Sequence, residues 1–179
     1  MHLIHIPVSE KFTKMKTILT AVLAIISIGS IAQDRHFFPF NESLRIEAKF
    51  IKNQSPVPFQ MKTTTERLLA YDKYGEAFFE FAGNKYKLSI SQFHHVRQIE
   101  EYKNLLHLLF TDLTNGEDTY GGGRYIDLRI PSGDTIVIDF NKAHNPACAY
   151  DSTLSCPIPP KENDLNLRVE AGEKYLVHK

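Results

Sequence analysis

The amino-acid sequence predicts an all-β fold, an antiparallel small barrel or sandwich of about eight strands. Two observations carry the prediction. Apolar residues recur at every second position along several stretches, the period of a strand with one buried face. Segments rich in glycine, proline, asparagine and aspartate separate those stretches at short intervals, as in sandwiches and barrels. With 179 residues, 42% apolar and 23% charged, the chain suffices for one ordinary globular domain and not comfortably for two.

The first 32 residues stand apart. Lys11, Lys14 and Lys16 precede an apolar run over residues 18–28, and Ser30-Ile31-Ala32 supplies small residues before Gln33. That is the order of a secretory signal peptide, cut before Gln33 to leave a single β domain over residues 33–179. Met15 reads as an alternative start, residues 1–14 being upstream sequence or an extended n-region. The apolar run is shorter than the ~20 residues of a membrane span, and no cysteine stands at the cut to carry a lipid. The mature chain is therefore expected to be periplasmic or extracellular, without a membrane anchor. Removing residues 1–32 leaves 18 basic side chains (21 less Lys11, Lys14 and Lys16) and 20 acidic ones (21 less Glu10). Such near-neutrality gives no electrostatic grip on nucleic acid.

After an aromatic lead-in over residues 36–41, Leu44, Ile46, Ala48 and Phe50 alternate with Arg45, Glu47 and Lys49 in a first strand. Residues 53–58 have the composition of a turn, and a short strand restarts at Phe59. From Leu68 a meander is expected, with Leu69 and Tyr71 on one strand, a turn at residues 72–75, and Ala77, Phe79 and Phe81 facing together. A tight hairpin around Gly83-Asn84 leads into residues 86–90. Val96, Ile99 and Tyr102 recur at three-residue spacing and suggest a short helix. His94 and His95 would point about 100° apart on it, so they read as exposed side chains rather than metal ligands. Residues 105–110 are apolar on both faces, as in a central strand, and the lone His107 reads as a hydrogen-bonded core residue. A hairpin turning at Pro131-Ser-Gly-Asp134 follows, and the alternation of Leu165, Leu167 and Val169 marks a last strand over residues 165–171.

The unusual chemistry is concentrated in two polar loops. The first opens at Asp112 and resembles a calcium loop only briefly, since Glu117 and Gly123 stand where an EF-hand requires Gly and Glu. A turn on Asn115-Gly116 accounts for it. Thr119, Tyr120, Gly121, Gly122, Gly123 and Arg124 come next. Three successive glycines let backbone amides converge and let another segment or a ligand approach closely. No Lys-Ser/Thr and no helix follow, as phosphate-binding and dinucleotide motifs would need. Arg124 shares the parity of Ile126, Leu128 and Ile130, so its guanidinium enters the apolar layer and needs an anion. That anion is either a carboxylate of this chain (Asp112, Asp139 or Glu162) or a carboxylate or phosphate on a ligand.

The second loop follows Asp139 and Asn141, which share a strand face. It is stiffened by Pro146, Pro157, Pro159 and Pro160, and holds Asn145, with Glu162 and Asn163 just beyond. Long ordered loops of this kind are often functional. Cys148 and Cys156 are the only cysteines, and in an exported chain they default to a disulfide. Their spacing matches no zinc signature; a Cys148 nucleophile with His144 as base is the weaker alternative.

Six segments then carry a resemblance: Phe110-Thr-Asp-Leu-Thr-Asn-Gly-Glu-Asp-Thr-Tyr-Gly-Gly-Gly-Arg-Tyr125, Asp139-Phe-Asn, Asn145-Pro, Cys148-Ala-Tyr, Cys156-Pro-Ile-Pro-Pro-Lys-Glu-Asn163 and Ala171-Gly-Glu-Lys174. Together they resemble a bacterial family classed only as a domain of unknown function, over residues 38–174. The resemblance implies no activity and no catalytic residue. His144 and Ala147 depart from it, standing where that family carries Tyr and Pro, which removes its support from any role at those positions.

Three functional expectations follow. The first is binding of a small polar or anionic ligand, or a partner chain, at the rim built by the two loops. Arg124 would be the anion clamp and the amides of Gly121, Gly122 and Gly123 further donors, with Thr119, Tyr120, Asp139, Asn141, Asn145, Glu162 and Asn163 as the polar wall. The second is a hydrolase using Asp139 and Glu162 as an acid/base pair. The third is a polar plug closing the barrel end. No metal site is expected, and neither a cofactor nor an oligomeric state can be read.

Overall fold

Alternating burial along strand after strand builds the predicted all-β architecture in the computed structural model, which describes residues 35–175. The expected signal peptide, residues 1–32, lies outside the described residues. The strands are β1 (Arg45–Lys62), β2 (Leu68–Phe81), β3 (Asn84–Phe93), β4 (Leu105–Asp112), β5 (Arg124–Arg129), β6 (Thr135–Asp139) and the short β7 (Asp164–Leu165). Their order in the sheet is β5-β4-β3-β2-β1-β6, all antiparallel, with β7 added to β4 in parallel. The two edges, β5 and β6, are consecutive in sequence, so the sheet curls back on itself into a nearly closed barrel. Among the described residues there is no α-helix, and no helix long and apolar enough to cross a membrane.

The interior is filled by one face of each strand: Ile46, Ala48 and Phe50 from β1, Leu106, Leu108 and Phe110 from β4, Ile126 and Leu128 from β5, Ile136 and Ile138 from β6. A second, smaller apolar cluster of Met61, Tyr71 and Leu109 lies apart from it, with Phe59, Leu69, Phe93 and Tyr125 packed against it. Leu109 alternates with Leu108 and Phe110, so this cluster sits on the reverse face of the sheet. That is the two-sided packing expected for residues 105–110.

Two expected turns are bends inside long strands. Residues 53–58 continue β1 and residues 72–75 continue β2; the β1–β2 ladder shifts register between Lys52 and Val57, and the β2–β3 ladder between Lys73 and Gly75. Proline, glycine and asparagine serve a bulge as readily as a turn, and here they bend both strands at one place. Gly75 is required there, because a Cβ would lie 2.6 Å from the Ile51 carbonyl oxygen and 2.6 Å from the Phe50 ring. The β1–β2 connection falls at residues 63–67 instead, and merging these pieces brings about eight expected strands to seven.

The β2–β3 loop is Ala82-Gly83 rather than Gly83-Asn84. Phe81 pairs with Asn84, and both loop residues have positive φ, as a type I′ turn demands. The expected helix after residue 92 is one 3-10 turn, Val96–Gln98. The hairpin arms β5 and β6 pair outward with β4 and β1 rather than with each other. Residues 166–171 keep the predicted alternation, Val169 and Ala171 being buried, but do not pair as a strand.

Candidate functional site

The Gly-rich loop is a knot of internal hydrogen bonds. Asp112 receives the Thr114 amide at 2.7 Å and the Thr114 hydroxyl on one oxygen, and Arg124 at 2.6 Å on the other. Asn115 holds Thr119 Oγ1 at 2.9 Å and the Tyr120 carbonyl at 3.0 Å. Both side chains of the Arg124–Asp112 pair are 0% exposed. Arg124 also donates to the carbonyls of Val169, at 2.8 Å, and Ala171. The guanidinium thus replaces a neighbouring strand for residues 169–171, which is why they stay extended without pairing. Burial pulls the Arg124 pKa down, while Asp112 and Glu173 push it back.

Of the partners weighed for Arg124, the structure selects the chain's own Asp112 and buries the guanidinium completely, with its Nε left without a hydrogen-bond partner. The anion-clamp role is therefore corrected: Arg124 joins the loop to residues 169–171. The rest of the expected wall is dispersed. Gly121 and Gly122 are exposed, while Gly123, at φ 90°, is pressed so closely that a Cβ would meet the Phe110 carbonyl at 2.6 Å and Pro159 at 2.7 Å. The glycine and proline segments do meet, but in contact and not across a pocket.

Asn145 binds inward through its amide to Glu173 (2.8 Å) and through its side chain to the Tyr150 hydroxyl (2.8 Å) and the Lys174 carbonyl (3.0 Å). Tyr150 in turn donates to the fully buried Glu173 at 2.7 Å, and its pKa is pushed up to about 12, mainly by burial. Asn163 pins β3 to β4, receiving the Ser89 amide at 2.7 Å and donating to the Ser89 and Leu109 carbonyls at 2.8 Å. Tyr120 rests edge-on against Tyr175. These are staples.

Asp139 and Asn141 stand together as expected, but Asp139 caps the Asn141 amide and Asn141 holds the backbone of Asn41. Glu162 lies 3.8 Å from Lys73. Asp139 is in register with Arg45 and Lys73 with Val57, at well-separated points of β1. The proposed acid/base pair therefore has no shared substrate position. Cys148 and Cys156 are joined as a disulfide, with Cα atoms 6.0 Å apart. His94 is drawn to Asp72 (3.2 Å) beside Arg97 rather than standing free. Among the described residues no group of His, Cys, Asp and Glu is arranged to hold a metal.

A concave site does exist on the reverse face of the sheet, over the second apolar cluster. Tyr71 faces Phe93 across β2 and β3, and His107 faces Asp127 across β4 and β5. Leu69, Leu109 and Tyr125 make its floor and sides, enclosing about 230 Å³. Pro157 closes one wall because the second loop is strapped to the end of β1: Thr64 N–H donates to the Cys156 carbonyl and Ile158 N–H to the Lys62 carbonyl, both at 2.8 Å. The Tyr125 hydroxyl then donates to the Pro157 carbonyl. The Tyr71 hydroxyl meets His107 Nδ1 at 3.2 Å, and His107 Nε2 lies 3.8 Å from Asp127. Burial lowers the His107 pKa, with Asp127 opposing, and raises those of Tyr71 and Tyr125. Burial displaces these groups as it does any titratable side chain, and their meeting inside one apolar concavity makes it a candidate binding site.

Sequence comparison decides the family. A family model described as a protein of unknown function (DUF1684) matches residues 33–174. The chain belongs to the DUF1684 family. No functionally curated sequence matches it. Among solved structures it is similar to an uncharacterised protein of Haloarcula marismortui determined by solution NMR. The two are 27% identical with a TM-score of 0.66, over 95% of this chain and 99% of that one. The resemblance to a domain of unknown function rested on the loop segments and not on the pocket residues, which follows from how the pocket is assembled. Tyr71, His107 and Asp127 come from three different strands, β2, β4 and β5. The available signal was parity: His107 and Leu109 alternate with Leu106, Leu108 and Phe110, as Tyr125 and Asp127 do with Arg124 and Ile126, leaving polar and aromatic groups in step on one outer face.

Proposed function

We propose that this DUF1684 protein is an exported binding protein that takes a small molecule in the hollow between Tyr71, His107, Tyr125 and Pro157. The ligand-binding expectation is kept and its place moved from the glycine rim to the underside of the proline-rich loop. One observation carries the reading: an apolar concavity in which Tyr71, His107 and Asp127 follow one another at hydrogen-bonding or near-contact distance, the Tyr125 hydroxyl being turned to the Pro157 carbonyl. Export is supported by the order of charges and apolar residues before Gln33 and by the Cys148–Cys156 bridge, a pairing favoured in oxidising compartments.

The volume suits a ligand of about eight heavy atoms, taking ~30 Å³ as one water's share of liquid. At about 0.6 kcal/mol per heavy atom this gives roughly 5 kcal/mol, a Kd on the order of 0.2 mM. The test is a fragment screen by thermal shift on the mature chain and on Leu69→Trp, which fills the hollow from its half-buried edge. Fragments that stabilise the parent and not Leu69→Trp support the reading. Fragments that stabilise both equally would place the binding surface elsewhere.

A further inference from the structure

The hollow's chemistry also selects the sign of its ligand. Two of its hydroxyls are already committed, Tyr125 to the Pro157 carbonyl and Tyr71 to His107. What remains toward the interior is the ring surface of Tyr125 and of the stacked Tyr71–Phe93 pair (centroids 5.0 Å apart), the His107 Nε2 edge and the Asp127 carboxylate, whose side chain is 60% exposed at the mouth. No lysine or arginine is among the lining residues. Arg45, Arg129 and Lys142 line the separate hollow at the β5–β6 seam, which Asp127 also borders, yet none forms an ion pair with Asp127 among the described residues. An anion entering here would approach a carboxylate and the negative faces of aromatic rings with no committed cation to receive it. A cation would meet both favourably, since ring faces attract an ammonium group within about 6 Å and a carboxylate at the mouth adds a charge-assisted hydrogen bond.

We propose that the pocket binds a small organic cation, an amine carried on an apolar or aromatic body, with the body against Tyr71, Phe93 and Leu109 and the ammonium at Asp127. This rests on the hollow being the binding site, and it reverses the anionic preference expected from Arg124. Asp127 is 60% exposed at the mouth, where an ion pair is worth little, so its share of the preference is small.

Three probes of one shape separate the possibilities: benzylamine, benzyl alcohol and benzoate, titrated at pH 7.5 into the mature chain and followed by the NMR signals of the His107 imidazole and the Tyr125 ring. Benzylamine is expected to bind roughly ten-fold more tightly than benzyl alcohol, with benzoate weakest. In Asp127→Asn, an exposed substitution that leaves the fold intact, the preference for benzylamine over benzyl alcohol falls to about three-fold, the share of the aromatic rings. Benzyl alcohol binding as well as benzylamine, or benzoate binding best, would overturn the cation assignment and leave the pocket standing. An undiminished benzylamine preference in Asp127→Asn would also overturn it. Failure of all three probes to move the His107 and Tyr125 signals would overturn the pocket reading itself, and the cation assignment with it.

Discussion

Replacing Arg124 with methionine removes the guanidinium but keeps the length and apolar stem of the side chain. It leaves the Asp112 carboxylate buried without its ion-pair partner, and the carbonyls of Val169 and Ala171 without their donor. Breaking a buried pair from one side costs about 3–5 kcal/mol, and each orphaned buried carbonyl adds on the order of 1 kcal/mol, offset in part because methionine avoids the guanidinium's own desolvation. A net loss of about 4–6 kcal/mol is expected, a large share of the 5–15 kcal/mol typical of a domain. At about 3 °C per kcal/mol for a domain of this size, the midpoint falls by roughly 12–18 °C. Urea unfolding followed by far-UV circular dichroism measures it, and the fluorescence of the tyrosines is a second probe because the chain has no tryptophan. In a double-mutant cycle, Asp112→Asn should cost about 1.5 kcal/mol less in the Arg124→Met background than in the parent. A loss below about 1 kcal/mol, with the two substitutions additive, would refute the structural role given to Arg124 and restore it as a candidate ligand clamp.

Three further outcomes are expected. Gly75→Ala should cost about 2–3 kcal/mol, because its Cβ overlaps the Ile51 carbonyl and the Phe50 ring; Gly133→Ala, with nothing within 4 Å, should stay within about 0.5 kcal/mol, both read by chemical denaturation. Since burial lowers the His107 pKa below its usual 6.5, the unfolded chain takes up that proton first. Stability is then full above pH ~6.5 and declines as pH falls toward the folded-state value; in His107→Gln this part of the slope should vanish, as unfolding titrations across pH 5–8 would record. Reducing the Cys148–Cys156 bridge releases a short loop whose closure is worth about 2.5 kcal/mol. It also loosens Pro157, the residue next to Cys156, so a Tm loss of roughly 7 °C should be accompanied by weaker binding of any pocket fragment.

Strand identity was legible where burial alternates without interruption. Ile46, Ala48 and Phe50 lie inside as their parity requires, and the two-faced apolar run of β4 separates two cores, one on each side of the sheet. The parity of Arg124 likewise announced a guanidinium in the apolar layer. What composition could not separate was a turn from a bend: residues such as Pro56 and Gly75 stand at breaks in regular pairing in either case, and only the partner strand decides whether the chain reverses. Residues 166–171 misled for a related reason, since alternation reports which side chains are buried and not where the backbone carbonyls find donors. The loop polar groups drew attention because they are dense in sequence, yet density near Gly116, Gly123 and Asn163 reflects the hydrogen bonds needed to close irregular backbone. The pocket was invisible along the chain because it is assembled across it. Tyr71 and His107 are 36 positions apart, and they meet only once β2, β3 and β4 are in register.

The most direct test of the pocket is a backbone amide and histidine side-chain NMR map of residues 33–179, recorded while fragments identified by thermal shift are titrated in. Shifts gathered on Leu69, Tyr71, Phe93, His107, Leu109 and Tyr125, with the 119–124 loop unmoved, are the expected result. Shifts gathered on Gly121, Gly122 and Gly123, with His107 silent, would contradict it.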